Sequence, residues 1–247
     1  MSTFQQRTET SLLRCRLLAL AIAGAIAVAP LPSLADPLTL AVSDFTGLDV
    51  SSGIKVVVNP ADSFSATANS SNADDVRDLK YAVSSGVLRL WYDWSIWRIF
   101  NFSARDVTVT VTMPEVDSLA VSAGGDAKVN GVPGDELRVD ASGGAHALID
   151  AASAKRYAIG VSGGATATLS GTCYSARLDA SGGGTLDAGQ LDCVDVVGSA
   201  SGGGHLTISA GASVTADASG GAHIEIHGHP PQTKINSSGG GAVSFVN

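Results

Sequence analysis

The tripeptide Ser-Gly-Gly recurs through the second half of this 247-residue chain at a step that leaves few folds open. It begins at Ser122 (as Ser-Ala-Gly-Gly), Ser142, Ser162, Ser181, Ser201, Ser219 and Ser238, at intervals of 20, 20, 19, 20, 18 and 19 residues. A fixed period of this length marks stacked structural repeats. Aligned on the Ser, three columns are apolar or small. Three residues before it stand Leu119, Val139, Ile159, Leu178, Gly198, Ala216 and Ile235. Five after it stand Ala127, Ala147, Ala167, Leu186, Leu206, Ile224 and Val243; seven after it, Val129, Ile149, Leu169, Ala188, Ile208, Ile226 and Phe245. Polar columns lie between them, with Asp140, Asp179, Asp217 and Asn236 two before the Ser. Period-two alternation on each side of a glycine bend predicts two short strands per repeat. One such pair cannot bury its apolar side alone. Stacked copies can, because each rung hydrogen-bonds to the next and the columns merge into a core. The reading is an all-β solenoid with coils of about 20 residues.

The cysteines test this register. Cys173 and Cys193 each lie eight residues before a repeat Ser, so they share one column on successive rungs. Stacked strands stand about 4.8 Å apart, inside the Cα separation a disulfide accepts. A Cys173–Cys193 bridge is expected.

Residues 1–35 have the order of parts of a cleaved signal peptide. Arg7, Arg14 and Arg16 are basic, Leu17 to Ala29 is an apolar run of 13, and Ser33-Leu34-Ala35 puts small residues before Asp36. The run is short for a membrane span, which needs roughly 20 residues, and no second apolar stretch is long enough, so the mature chain is expected to have no transmembrane segment. Cleavage removes three of 15 basic and one of 23 acidic residues and leaves a formal charge of −10. An acidic surface repels nucleic acid, which is excluded as a partner. An oxidising compartment outside the cytoplasm also permits the bridge.

Residues 36–116 lack the repeat but still read as β, with strands over 45–50, 54–58, 63–68, 81–83, 87–91 and 107–113. A short helix is predicted over 72–79, with Asn72 as its cap and Asp74 and Asp75 in its first turn. This part is expected to pair with the first rung as a cap and to close that end of the stack. It forms one domain, 36–247, with the repeats of 117–247. Between Trp91 and Phe102 lie six of the chain's 13 aromatic residues. Trp91, Tyr92, Trp94 and Trp97 are candidates for a binding platform, since aromatics dominate such contacts. The competing reading is a lid on the open end of the solenoid.

Phe45-Thr-Gly-Leu-Asp-Val-Ser-Ser-Gly-Ile-Lys-Val-Val-Val58, then Ser84-Ser-Gly-Val-Leu-Arg-Leu90, then Val107 to Pro114 running into the repeats, resemble the autotransporter adhesin head GIN domain family. The resemblance covers nearly the whole mature chain. It implies a right-handed parallel β-helix fold and residence in a bacterial envelope, in the periplasm or at the cell surface.

Signals of chemistry are few. His223, Glu225 and His227 alternate with Ile224 and Ile226 and are expected to point outward from one strand. Imidazoles and a carboxylate are ligand types for Zn, Cu or Ni; the bland reading is a polar ladder, as Thr166 and Thr185 fill the same column elsewhere. Asp140, Asp179 and Asp217 are separated by Gly160 and Ser199, which leaves the carboxylates about 9.6 Å apart, too far to share one calcium ion. The sequence has no G-K-[ST] phosphate loop and no H-E-x-x-H zinc helix. No catalytic residue and no cofactor are assigned. The expected function is a non-enzymatic, adhesin-like envelope or surface module with a glycan or envelope component as partner. The alternatives are a carbohydrate-active β-helix enzyme and a scaffold that self-associates through its C-terminal edge.

Overall fold

Each Ser-Gly-Gly unit is a left-handed corner. In the computed structural model the backbone N–H three residues after each repeat Ser donates to the Ser carbonyl at 2.9–3.3 Å. The two residues inside the corner have φ of 49–62° and 74–86°. Two successive residues in this region are costly for anything with a Cβ, so glycine fills all but one of these positions, Ala123 being the exception.

The structure describes residues 37–93, 105–132 and 134–246. They form eighteen strands and one helix. The first part holds β1 (Leu38–Leu40), β2 (Gly47–Val50), β3 (Lys55–Pro60), β4 (Ser65–Ser70), α1 (Ala73–Arg77), β5 (Lys80–Ser84), β6 (Val87–Trp91) and β7 (Val107–Met113). The repeats hold β8 (Ser118–Val121), β9 (Asp126–Val132), β10 (Glu136–Ala141), β11 (His146–Ala152), β12 (Arg156–Val161), β13 (Thr166–Ser181), β14 (Thr185–Ser201), β15 (His205–Ser219), β16 (His223–His227), β17 (Gln232–Ser238) and β18 (Ala242–Val246). All of these residues belong to one compact unit, Ser33–Asn247.

The strands on the two sides of a corner do not pair with each other; each pairs with its counterpart one coil away. Before the corner, β8, β10, β12, the later parts of β13, β14 and β15, and β17 form one parallel ladder. After it, β9, β11, the earlier parts of β13, β14 and β15, β16 and β18 form the other. The registers join the columns read from the sequence. Leu119 pairs with Val139, Val139 with Ile159, and Ile159 with Leu178; Ala127 pairs with Ala147, and Ala147 with Ala167. These residues are buried. A Cβ on Gly198 would run into Ile208 and Leu206, which places the two ladders face to face across the core. In the last coil the same columns emerge: Ile235 is 39% and Phe245 41% exposed, with no further coil among the described residues to cover them.

The first part is more than a cap. β2, the corner Ser51-Ser52-Gly53 and β3 make a coil of the same kind, with Ile54 N–H donating to the Ser51 carbonyl at 3.4 Å and positive φ at Ser52 and Gly53. Leu48 of β2 pairs with Leu119 of β8 on one side and with Leu88 of β6 on the other. Val56 of β3 likewise lies between Ala127 of β9 and Val109 of β7. The coils are therefore stacked out of chain order: β6–β7 is outside β2–β3, and the chain must step back over β2–β3 to begin β8. Asp117 N–H marks that step by donating to the Thr46 carbonyl at 2.8 Å. Antiparallel strands close this end as expected, β5 on β6, β4 on β7 and β1 on β4. Helix α1 is capped by the Asn72 side chain, which accepts from Asp74 N–H at 3.0 Å.

Candidate functional site

With the core filled by small aliphatic side chains, function must lie on the outward columns or on insertions. One insertion interrupts the end coil. Ser51 to Ile54 joins β2 to β3, but residues 92–106 join β6 to β7 at the equivalent corner. Trp94 and Trp97 lie outside the described residues. Trp91 is half-buried, with its indole N–H on Asp93 at 3.3 Å and the Arg89 guanidinium 5.9 Å from its ring. Tyr92 is 6% exposed. Its hydroxyl donates to the Asp75 carbonyl at 2.7 Å and the Arg105 guanidinium lies 3.8 Å over its ring. Tyr92 thus fastens the chain at the start of the insertion to α1.

The histidine strand points outward as expected. His205 pairs in register with His223, their rings 6.4 Å apart. His223 Nε2 is 3.4 Å from Glu225 Oε1 and 3.5 Å from Ser244 Oγ. His227 continues the strand, and His229 stacks on Phe245 at 5.9 Å. Among the described residues no group of three or more His, Cys, Asp or Glu is gathered to hold one metal ion. Cys173 and Cys193 pair in register and are joined by a disulfide, with their Cα atoms 4.5 Å apart.

The outward face of β10, β12 and β13 carries two Arg–Asp pairs on either side of a gap. On β10, Arg138 Nε donates to Asp140 Oδ2 at 2.8 Å and Nη2 to Oδ1 at 3.4 Å. On β13, Arg177 Nε is 3.2 Å from Asp179 Oδ2. On the strand between them the same two positions are Ala158 and Gly160. The missing side chains leave a shallow notch of about 210 Å³ lined by Arg138, Asp140, Gly160, Arg177 and Asp179. The hydrogen bond to Asp140, followed by its charge, raises the Arg138 pKa above the ordinary guanidinium value, so this cation persists at any working pH. The signal lies in the sequence as Arg-x-Asp on two alternate rungs, Arg138-Val139-Asp140 and Arg177-Leu178-Asp179.

Gly160-Val161-Ser162-Gly163-Gly164 spells the G-x-S-x-G letters of a hydrolase nucleophile. That motif needs a strand–turn–helix elbow. Here Ser162 is a repeat corner between strands β12 and β13.

Comparison with known proteins agrees with the architecture. The family model described as "Putative auto-transporter adhesin, head GIN domain" matches residues 44–230. A crystal structure of a "putative adhesin" from Bacteroides fragilis NCTC 9343 is similar, with TM-score 0.78, 22% identity and coverage of 88% of this chain and 99% of that one. A second "putative adhesin", from Parabacteroides distasonis ATCC 8503, has TM-score 0.65 at 17% identity, covering 87% and 97%. A "putative lipid binding protein" from the same organism has TM-score 0.63 at 14% identity, covering 86% and 96%. These identities speak for the fold. No curated protein matches significantly. With its coils, corners and register alike accounted for, the chain belongs to the auto-transporter adhesin head GIN domain family.

Proposed function

We propose that this protein is an exported, non-enzymatic envelope or surface module that acts by binding. The observation that carries the reading is the use of the chain: paired coils and core columns absorb most described residues, and the polar side chains left over are displayed outward on a rigid ladder. Family membership supports an adhesin-like role. The basic n-region, apolar run and small residues of 1–35, together with a disulfide, support export. No helix among the described residues is long and apolar enough to cross a membrane. An enzyme of the carbohydrate-active class fits less well. Asp140 and Asp179 are side-chain exposed by 53% and 43% and each is paired with an Arg, whereas a glycosidase general acid needs a dry pocket. The test is fractionation of producing cells, N-terminal sequencing, and adherence of the purified protein to whole cells and envelope preparations. An N-terminus at Asp36, envelope or extracellular location and saturable adherence are expected. Retention in the cytoplasm with residues 1–35 intact, or no adherence, contradicts the proposal.

A second reading, self-association through the C-terminal edge, is favoured by one observation. Every residue of β17 is exposed, and Ile235, Phe245 and Val246 show 39%, 41% and 38% of their surface. Unpaired strand edges template pairing with another chain. Light scattering of the protein with and without residues 234–247 decides it: loss of a dimer on truncation supports edge pairing, and an unchanged monomer refutes it.

A further inference from the structure

The geometry points to the Gly160 notch as a site for one ring of a neutral sugar, a hexopyranose unit held through its hydroxyl groups. The inference rests on the binding-module reading and names a place and a ligand class for it.

Four charged side chains frame a spot where the chain itself supplies none. Asp140 pairs in register with Gly160, and Gly160 with Asp179. The two carboxylates are thus two strand spacings apart, about 9.6 Å, which is wide enough to admit a sugar ring with its hydroxyls between them. Arg138 and Arg177 flank Ala158 in the same way. The frame carries two cations and two anions, so it has no net charge to attract an ion. An anionic ligand would meet Asp140 and Asp179; a cationic one would meet the two guanidinium groups. An apolar ligand would strip water from four charged groups without replacing their hydrogen bonds. A hydroxyl group suits both partners, since it donates to a carboxylate and accepts from a guanidinium N–H. Each guanidinium has five N–H donors. Arg138 spends Nε–H and one Nη2 hydrogen on Asp140, which leaves others for a ligand oxygen. The floor is preformed, because β12 is bonded on both sides within a parallel ladder, and a preformed site loses less freedom on binding.

The frame is local. One coil further on, Ser199 also lies between two carboxylates, Asp179 and Asp217. There the counterpart of Arg177 is Val197 and then Thr215, so the second guanidinium is missing and the exposed Val197 stands in the gap.

Gly160 also supplies a clean variant. Its φ is not positive, and a Cβ there would meet only the Asp140 carboxylate end, at 3.1 Å. Gly160→Val therefore fills the notch while a flexible, exposed side chain moves aside. Amide NMR titrations of the full chain with methyl α-mannopyranoside and methyl β-glucopyranoside, with acetate and methylammonium as charged controls, provide the test. Saturable shifts centred on Ala158, Gly160 and Asp179 are expected for at least one pyranoside. Gly160→Val and Arg177→Ala should each weaken it at least tenfold with unchanged melting. Equal binding by Gly160→Val, preference for either charged control, or no saturable shift with either sugar overturns the assignment. Cell adherence measured on the same samples separates the two levels. Wild-type adherence without sugar binding at the notch sinks this site alone; absent adherence sinks the binding-module reading with it.

Discussion

Gly171 shows how closely successive coils approach. Its φ is +134°, and a Cβ added there would overlap the Ala152 carbonyl on the neighbouring strand. Gly171→Ala should therefore cost about 3 kcal/mol or more in urea unfolding, as backbone must move. Gly160→Ala, facing open space beside a flexible carboxylate, should stay within about 0.5 kcal/mol. The disulfide ties residues 20 apart in sequence. Replacing both cysteines by Ser should cost about 3 kcal/mol, the loop-closure entropy returned to the unfolded chain; a melting point unmoved by reductant would contradict this. Tyr157 is buried, and its hydroxyl accepts from Ala154 N–H at 2.8 Å. Burial raises its pKa above the ordinary phenol value, opposed by that hydrogen bond. A raised folded-state value means that its contribution to stability is complete below the unfolded pKa of about 10 and is lost as pH rises through the folded value. Stability should fall above about pH 10 less steeply in Tyr157→Phe. The inward columns and the cysteine pair were legible in the sequence because they repeat with the Ser-Gly-Gly step. Gly171 was less so: its column, nine residues after the repeat Ser, also holds Gly131, Ala151 and Gly228 at positive φ, but Gln190 and Ala210 interrupt it, and a register shift between Thr168 and Ser170 lies beside it.

At the scale of elements, strand existence was legible from alternation, and the helix from its cap and first-turn acids. The order of the coils was not. Ser51-Ser52-Gly53 is a repeat corner in all but spacing, yet 71 residues separate Ser51 from Ser122. A period search compares neighbours in sequence, whereas β2 and β3 find their neighbours β6, β7, β8 and β9 through pairing. The aromatic insertion was legible as an anomaly, but its anchorage through Tyr92 depends on α1 lying beside it. The two ends of the stack also differ. β14 is bonded to β13 and β15, while β17 and β18 bond to one neighbouring strand each. Backbone amides of β17 and β18 should exchange with solvent at least tenfold faster than those of β14, because edge strands open without disturbing the rest. Uniform protection across β13 to β18 would contradict that gradient, or would show the edge covered in solution.

Across the described residues, two parallel ladders make a scaffold that displays its polar side chains on outward columns. Long-range parallel pairing, with coils stacked out of chain order, also predicts slow folding, since loop closure precedes the contacts that reward it. Under the proposed function this scaffold binds its ligand and does not turn it over. The direct measurement is incubation of the protein with envelope polysaccharide while following retained protein and newly released reducing ends together. Saturable retention, reduced in Gly160→Val, with no rise in reducing ends is the predicted result. Release of reducing ends without saturable retention would contradict it and restore the enzyme reading.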